Sequence, residues 1–135
     1  MAAFMRPFES QVYAIFRIVT GLLFLWHGTQ KLFGFPVPIP PEMTPPWWII
    51  YVGGSVELIG GVLVMIGLLT SWAAFICSGE MAVAYWLGHG LGLMGPFSIF
   101  PLVNHGELAI LYCFAFLFIS ARGAGIWSVD GTRSS

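Results

Sequence analysis

Charge is what this chain has least of. Its 135 residues include five Lys/Arg and six Asp/Glu, 8% of the sequence, whereas soluble domains carry about 25%. These few side chains cannot clothe a water-facing surface of that size. Hydrophobic residues make up 58%, so intrinsic disorder, which needs low hydrophobicity and high charge, is excluded. A formal net charge of −1 supplies no basic field, and nucleic acid is excluded as a partner. Cysteine is scarce too. Cys77 and Cys113 both sit in apolar runs, with no CxxC and no Cys/His zinc spacing. A disulfide framework and a dithiol redox centre are thereby disfavoured, and both residues read as small packing groups. What remains is a single integral membrane domain in contact with the lipid bilayer.

What is present is apolar sequence in long runs. A spanning helix needs about 20 such residues. Four segments meet or approach that length: residues 12–34, 47–69, 71–93 and a shorter one at 105–121. No ten-residue stretches of strict alternation occur, which disfavours a β-barrel. The expected fold is all-α, a four-helix membrane bundle filling residues 1–135. The first run contains Arg17, His27 and Lys31 and no A-x-A site, so it reads as a retained span and not a cleaved signal.

The connections differ in kind. Spans two and three meet in a tight turn around Leu69-Thr70-Ser71. The first connection, FPVPIPPEMTPP, holds six of the nine prolines and favours extended chain. The third, MGPFSIFPLVN, is apolar for a loop and is expected at headgroup level or folded back over the bundle. Arg6 and Arg17 flank the start of span one, Arg122 and Arg133 follow span four, and the longer loops contain no Arg. Positive charge marks the cytoplasmic side, so both termini are expected there. Trp47, Trp48, Trp72 and Trp127 stand where interfacial anchors belong.

Ionisable residues at membrane depth cost about 2.5–3.5 kcal/mol each on insertion scales and need a reason. In span one, Arg17, Thr20, Gly21, Phe24, His27, Gly28 and Lys31 share one side of the helix. Arg17 and Lys31 read as snorkelling towards opposite interfaces, while His27 is too deep to do so. Glu57 lies mid-span among Gly53, Gly54, Gly60 and Gly61, glycines that admit a neighbouring helix. Such a carboxyl must be protonated and hydrogen-bonded or paired with a cation, and His27 is nearer to it in depth than Arg17. Glu80 is also near mid-membrane. His89 falls on the far side of its helix from Glu80. Asn104-His105-Gly106-Glu107 resembles a capping box, Asn at N-cap and Glu at N3. No HxH, HxxH or HExxH spacing occurs on one helix, so no metal site is assigned. If the polar stripes converge, they form a pocket of His27, Lys31, Glu57 and Glu107 with Glu80 beneath. It should open towards the extracytoplasmic leaflet, with residues 35–46 helping to roof it. Histidine and carboxyl in such a pocket suit proton-coupled chemistry on a quinone-like ligand.

At these residues the chain resembles the DoxX/DoxD family of small four-helix bacterial membrane proteins. Residues 17–35, RIVTGLLFLWHGTQKLFGF, are similar to the family's first span through Gly21, Phe24, His27, Gly28, Lys31, Phe33 and Gly34. Residues 57–70, ELIGGVLVMIGLLT, look like its second, and residues 79–85, GEMAVAY, like its third. Residues 104–130 look like its N-x-G-E-x-A-x-L-Y opening and G-x-G-x-W-S-x-D tail. The resemblance implies a multi-pass protein of the bacterial inner membrane. Relatives include the membrane subunit of a thiosulfate:quinone oxidoreductase and members of membrane redox and oxidative-stress complexes. A redox role carried over would place His27, Lys31, Glu57, Glu80 and Glu107 at the site, with no catalytic residue assigned.

The chain has no haem, flavin or iron–sulfur motif, so moving electrons would need a partner or a quinone. The leading expectation is an auxiliary subunit of a redox complex that touches quinone, with no intrinsic cofactor and other membrane subunits as partners. The alternatives are a purely structural subunit of a larger assembly and a small-solute or proton pathway. Topology is testable at once. A reporter fused after Ser135 should be active only as a cytoplasmic reporter; extracytoplasmic activity would remove the four-span reading.

Overall fold

Packing in this molecule begins with two helices whose backbones nearly touch. The structure, a computed structural model, describes residues 4–93 and 97–133. Among these, all regular structure is helical. Helix α1 runs Glu9–Phe33 and α2 runs Gly54–Ile66. A Cβ at Gly21 would stand 2.6 Å from the Gly61 carbonyl oxygen, and one at Gly61 would stand 2.8 Å from the Leu25 nitrogen. Only hydrogen at these two positions allows so close an approach. The other glycines expected at contacts are also there. Gly60 lies against Cys77 Sγ and Gly53 beside the Glu80 carboxyl.

The remaining elements follow in order. Helix α3 is Thr70–Val83, α4 a single turn at Pro101–Asn104, α5 Glu107–Arg122 and α6 Val129–Arg133. Helix α3 packs mainly on α5, and α2 joins the two pairs. The interior is aromatic and small-residue by turns. Phe24 and Phe116 are fully buried with ring centroids 4.6 Å apart, beside Val64, Ala74 and Cys77. Cys113 is half-buried, and its carbonyl accepts a hydrogen bond from Ser78 Oγ.

Two stretches depart from plain α-helix. Ile49–Gly53, before α2, and Ala84–Gly90, after α3, are wound as wider π-helix. Periodicity at 100° per residue gives no hint of this. The expected spans at 47–69 and 71–93 are therefore each a composite. Helix Arg6–Phe33 and helix Ile49–Ile66 are long and apolar enough to cross a membrane. Their outer faces, and those of the other helices, carry bare apolar side chains, such as Ile59 at 60% exposure and Leu111 at 67%. Water-soluble monomers do not expose apolar surface on this scale; lipid makes it a favourable surface.

The ends of the helices meet in a clamp. Arg17 does not snorkel. It is fully buried, and its guanidinium donates to the carbonyls of Val64 and Met65 at 2.9 and 2.7 Å and of Ile126 and Trp127 at 3.2 and 2.7 Å. The first two lie in the last turn of α2, where carbonyls lack intrahelical partners from the next turn and a cation also meets the negative end of the helix dipole. The chain then turns through Gly67 and Leu69, both with positive φ. Asp130 holds that turn, accepting from the Leu69 and Thr70 amides at 3.0 and 2.9 Å and from Thr70 Oγ1. The Thr70 amide foremost, with its hydroxyl and the Leu69 amide, keeps the Asp130 carboxyl below its ordinary range. The tail after α5 is thus a cap for two helices.

Replacing Gly61 with Leu should destabilise the fold by about 2 kcal/mol or more, because the added atoms meet backbone and overpacking alone costs about 1–3 kcal/mol. Thermal unfolding in detergent checks this; an unchanged melting profile would contradict the close approach of α1 and α2.

Candidate functional site

At the end of the molecule opposite the clamp, the helices separate around a cavity of about 350 Å³. Its walls are mostly apolar, from Phe24, Val52, Met81, Leu108 and others. Its polar groups come from several elements. The last turns of α1 supply His27 and Lys31, and the first turn of α2 supplies Glu57. Glu80 comes from α3, His89 from the π stretch Ala84–Gly90, and Tyr112 from α5. Both π stretches line the cavity. Their wider winding, a feature common at functional sites, rotates later side chains away from the α-helical register. That is why His89 shares the cavity with Glu80 instead of facing away. His89 Nδ1 lies 3.0 Å from the Asn104 carbonyl oxygen.

The centre of the site is an ion pair. Lys31 Nζ stands 2.5 Å from Glu57 Oε1, with 14% of the lysine side chain and 2% of the glutamate exposed. Lys31 therefore ends on a carboxylate and not at an interface, because Glu57 lies one helix away at the same depth. Glu57 finds its cation in Lys31, although His27 also borders the cavity. Glu57 Oε2 and Glu80 Oε2 are buried with no hydrogen-bond partner among the described residues. Buried polar atoms nearly always have one, so two such oxygens bordering one cavity are an unmet demand for donors. The His27 ring stands edge-on to Tyr112, with centroids 5.9 Å apart and planes at 85°.

Four of the five residues expected at the site, His27, Lys31, Glu57 and Glu80, line this cavity. Glu107 does not. It is exposed as the first residue of α5, while His105, Leu108, Ala109 and Tyr112 take the inward face. The expected capping box is absent as well. Gly106 precedes the helix, and Asn104 ends α4, its Oδ1 accepting from the Gly106 amide at 2.9 Å. Asn104 is instead a fully buried tie, donating to the Ser98 carbonyl at 2.8 Å and to Tyr85 Oη at 3.3 Å. It draws the apolar third connection back onto the π stretch; residues 94–96 of that connection lie outside the described residues. Phe97, Ile99 and Phe100 of it remain exposed.

None of residues 35–46 lines the cavity; Trp48 and Ile49 border it from that side. Prolines 36–46 lack the donors to pin the segment over the opening, and the π stretch that follows carries the chain to the wall. His105 and Tyr112 border the cavity but are absent from the expected pocket. The sequence carries both, His105 in the Asn104–Glu107 run and Tyr112 as the last residue of the N-x-G-E-x-A-x-L-Y pattern, but only packing turns them to the cavity.

The family model for DoxX matches residues 12–90, which span α1, α2, α3 and both π stretches. A Haemophilus influenzae protein described as uncharacterized is 40% identical over 129 residues, covering 93% of each chain. A Bacillus subtilis protein named "Putative oxidoreductase CatD" is 40% identical over 58 residues, 42% of this chain and 43% of its own. No solved structure matches.

The ion pair has a measurable consequence. Lys31→Met leaves a buried, uncompensated carboxylate and should cost about 3–5 kcal/mol. The double variant Lys31→Met/Glu57→Gln removes both charges and should recover most of that loss. Melting of the three proteins in one detergent decides it; a double variant no better than the single one would mean that the pair is not coupled.

Proposed function

Because the chain belongs to the DoxX family of membrane-associated proteins, we propose that it is an auxiliary inner-membrane subunit of a redox complex whose cavity takes a quinone-type ligand. In this reading its four apolar segments cross the bacterial inner membrane as a bundle with both termini cytoplasmic, and the cavity opens to the outer leaflet. The apolar outer faces and the arginines gathered at the terminal end support that orientation. The partial similarity to a protein named as an oxidoreductase supports the redox class.

The observation that carries the ligand reading is Glu57. It is 98% buried, spends one oxygen on Lys31 and leaves the other unpartnered at the wall of an otherwise apolar cavity. A volume of about 350 Å³ lies within the usual range for small-molecule sites, about 300–1,000 Å³. A quinone head needs hydrogen-bond donors at two carbonyl oxygens, and its reduction takes up two protons with two electrons. The chain's own groups meet the first need. Lys31 has three N–H donors and gives one to Glu57, and His27 brings an imidazole to the same wall. Glu57 and Glu80 can hold and release protons within the cavity. The electrons must come from a partner subunit, which is why an auxiliary role fits better than a free-standing enzyme.

The test is co-purification. Solvent extraction of the protein isolated in mild detergent should yield quinone, and His27→Leu should lose it while still inserting and assembling. Absence of quinone from the parent protein, or full retention by the variant, would overturn the ligand reading. A variant that alters assembly alone would point to a structural subunit, and ion flux in liposomes to a solute or proton pathway.

A further inference from the structure

A second opening lies at the other end of the molecule. Between the first turns of α1 and the last turn of α5 runs a groove of about 490 Å³, bordered by Arg6, Glu9, Tyr13, Phe16, Phe118 and Arg122. Its polarity is graded. On α1, Phe16 lies seven residues beyond Glu9, about 10 Å deeper along the axis. On α5, Phe118 lies one turn inside Arg122. Charge therefore sits at the chain-terminal rim and aromatic surface below it. Phe16 and Phe118 pack edge-on at 6.1 Å, and Tyr13 and Phe118 at 5.7 Å. Phe118 nonetheless remains 52% exposed, so none of the described residues covers this wall.

The rim is a balance of three charges. Arg122 is held 3.2 Å from Glu9, with its guanidinium 4.7 Å above the Tyr13 ring. Arg6 makes no ion pair among the described residues. The rim thus carries one net positive charge from two guanidiniums, the side chain best matched to phosphate oxygens. A second copy of the chain is a poor occupant, since a two-fold contact through this face would set arginines against arginines.

We propose that this groove binds a glycerophospholipid with a net-anionic headgroup, from the leaflet in which the two chain termini lie. Its phosphate sits between Arg6 and Arg122, and an acyl chain runs along Phe16 and Phe118. Basic pockets between membrane helices recognise lipid headgroups in this way. The acyl contact alone would accept any lipid. Selectivity comes from the unpaired guanidinium, because the amine of a zwitterionic headgroup is repelled there and the one carboxylate is already engaged by Arg122.

The experiment is native mass spectrometry of the full chain, released from detergent holding equal amounts of phosphatidylglycerol and phosphatidylethanolamine with identical acyl chains. The protein should retain phosphatidylglycerol about fivefold in preference, the effect of one basic side chain at an anionic surface. Arg6→Gln, which removes no side-chain hydrogen bond or ion pair among the described residues, should abolish the preference and leave melting in lipid-free detergent unchanged. Glu9→Gln, which frees Arg122, should strengthen it. Equal retention of the two lipids, a preference indifferent to Arg6→Gln, or a protein dimer that displaces lipid and depends on Arg6 would each overturn the proposal. None of these outcomes bears on the cavity at the opposite end.

Discussion

A guanidinium sealed away from water can persist only if carbonyls take the place of water, and Arg17 organises the terminal half of the molecule on that condition. Its four acceptors come from two places far apart in sequence, the end of α2 and the loop before α6. Meeting the demand of one side chain therefore fixes α1 against α2 and seals the tail beneath both. Asp130 continues the arrangement by capping α3 across the turn at Gly67 and Leu69. The left-handed Leu69, costly for a branched residue in isolation, is held because its amide has a carboxylate to meet.

The two ends of the molecule treat buried polarity in opposite ways. At the clamp both terminal nitrogens of Arg17 are matched, only its Nε lacking a partner among the described residues, and the role is mechanical. At the cavity an ion pair stands beside two carboxyl oxygens without partners, and the helices are widened into π turns on both sides. A stable fold gains nothing from orphaned acceptors in an apolar wall. Their cost is tolerable because α1 and α2 are locked at Gly21 and Gly61, the latter about one turn from Glu57, where the packing admits no slack.

Membership of the DoxX family and the membrane-associated, all-helical character follow from features that are local in sequence. Apolar runs, glycines spaced around Glu57 and motifs in fixed order can each be read without knowing what faces what. The convergence of His27, Lys31, Glu57 and Glu80 was legible for a related reason. Lipid offers no hydrogen bonds, so each polar stripe had to turn inward. Glu107 shows the limit of that logic. A residue at a helix start is free to leave the interior, and the choice between pocket and exterior rests on where α5 begins.

Composition by itself determined the solvent, the helical class and which residues would be driven towards the interior, because burial in lipid is decided residue by residue. Tertiary structure alone decided the pairings. Lys31 meets Glu57 only in the register set by the glycine contact of α1 with α2. Arg17 finds backbone carbonyls, which carry no signature in any sequence. His89 joins the cavity only because the helix before it is wound wide. Each of these depends on the distance between segments remote in the chain, and that distance is a property of packing and not of any one segment.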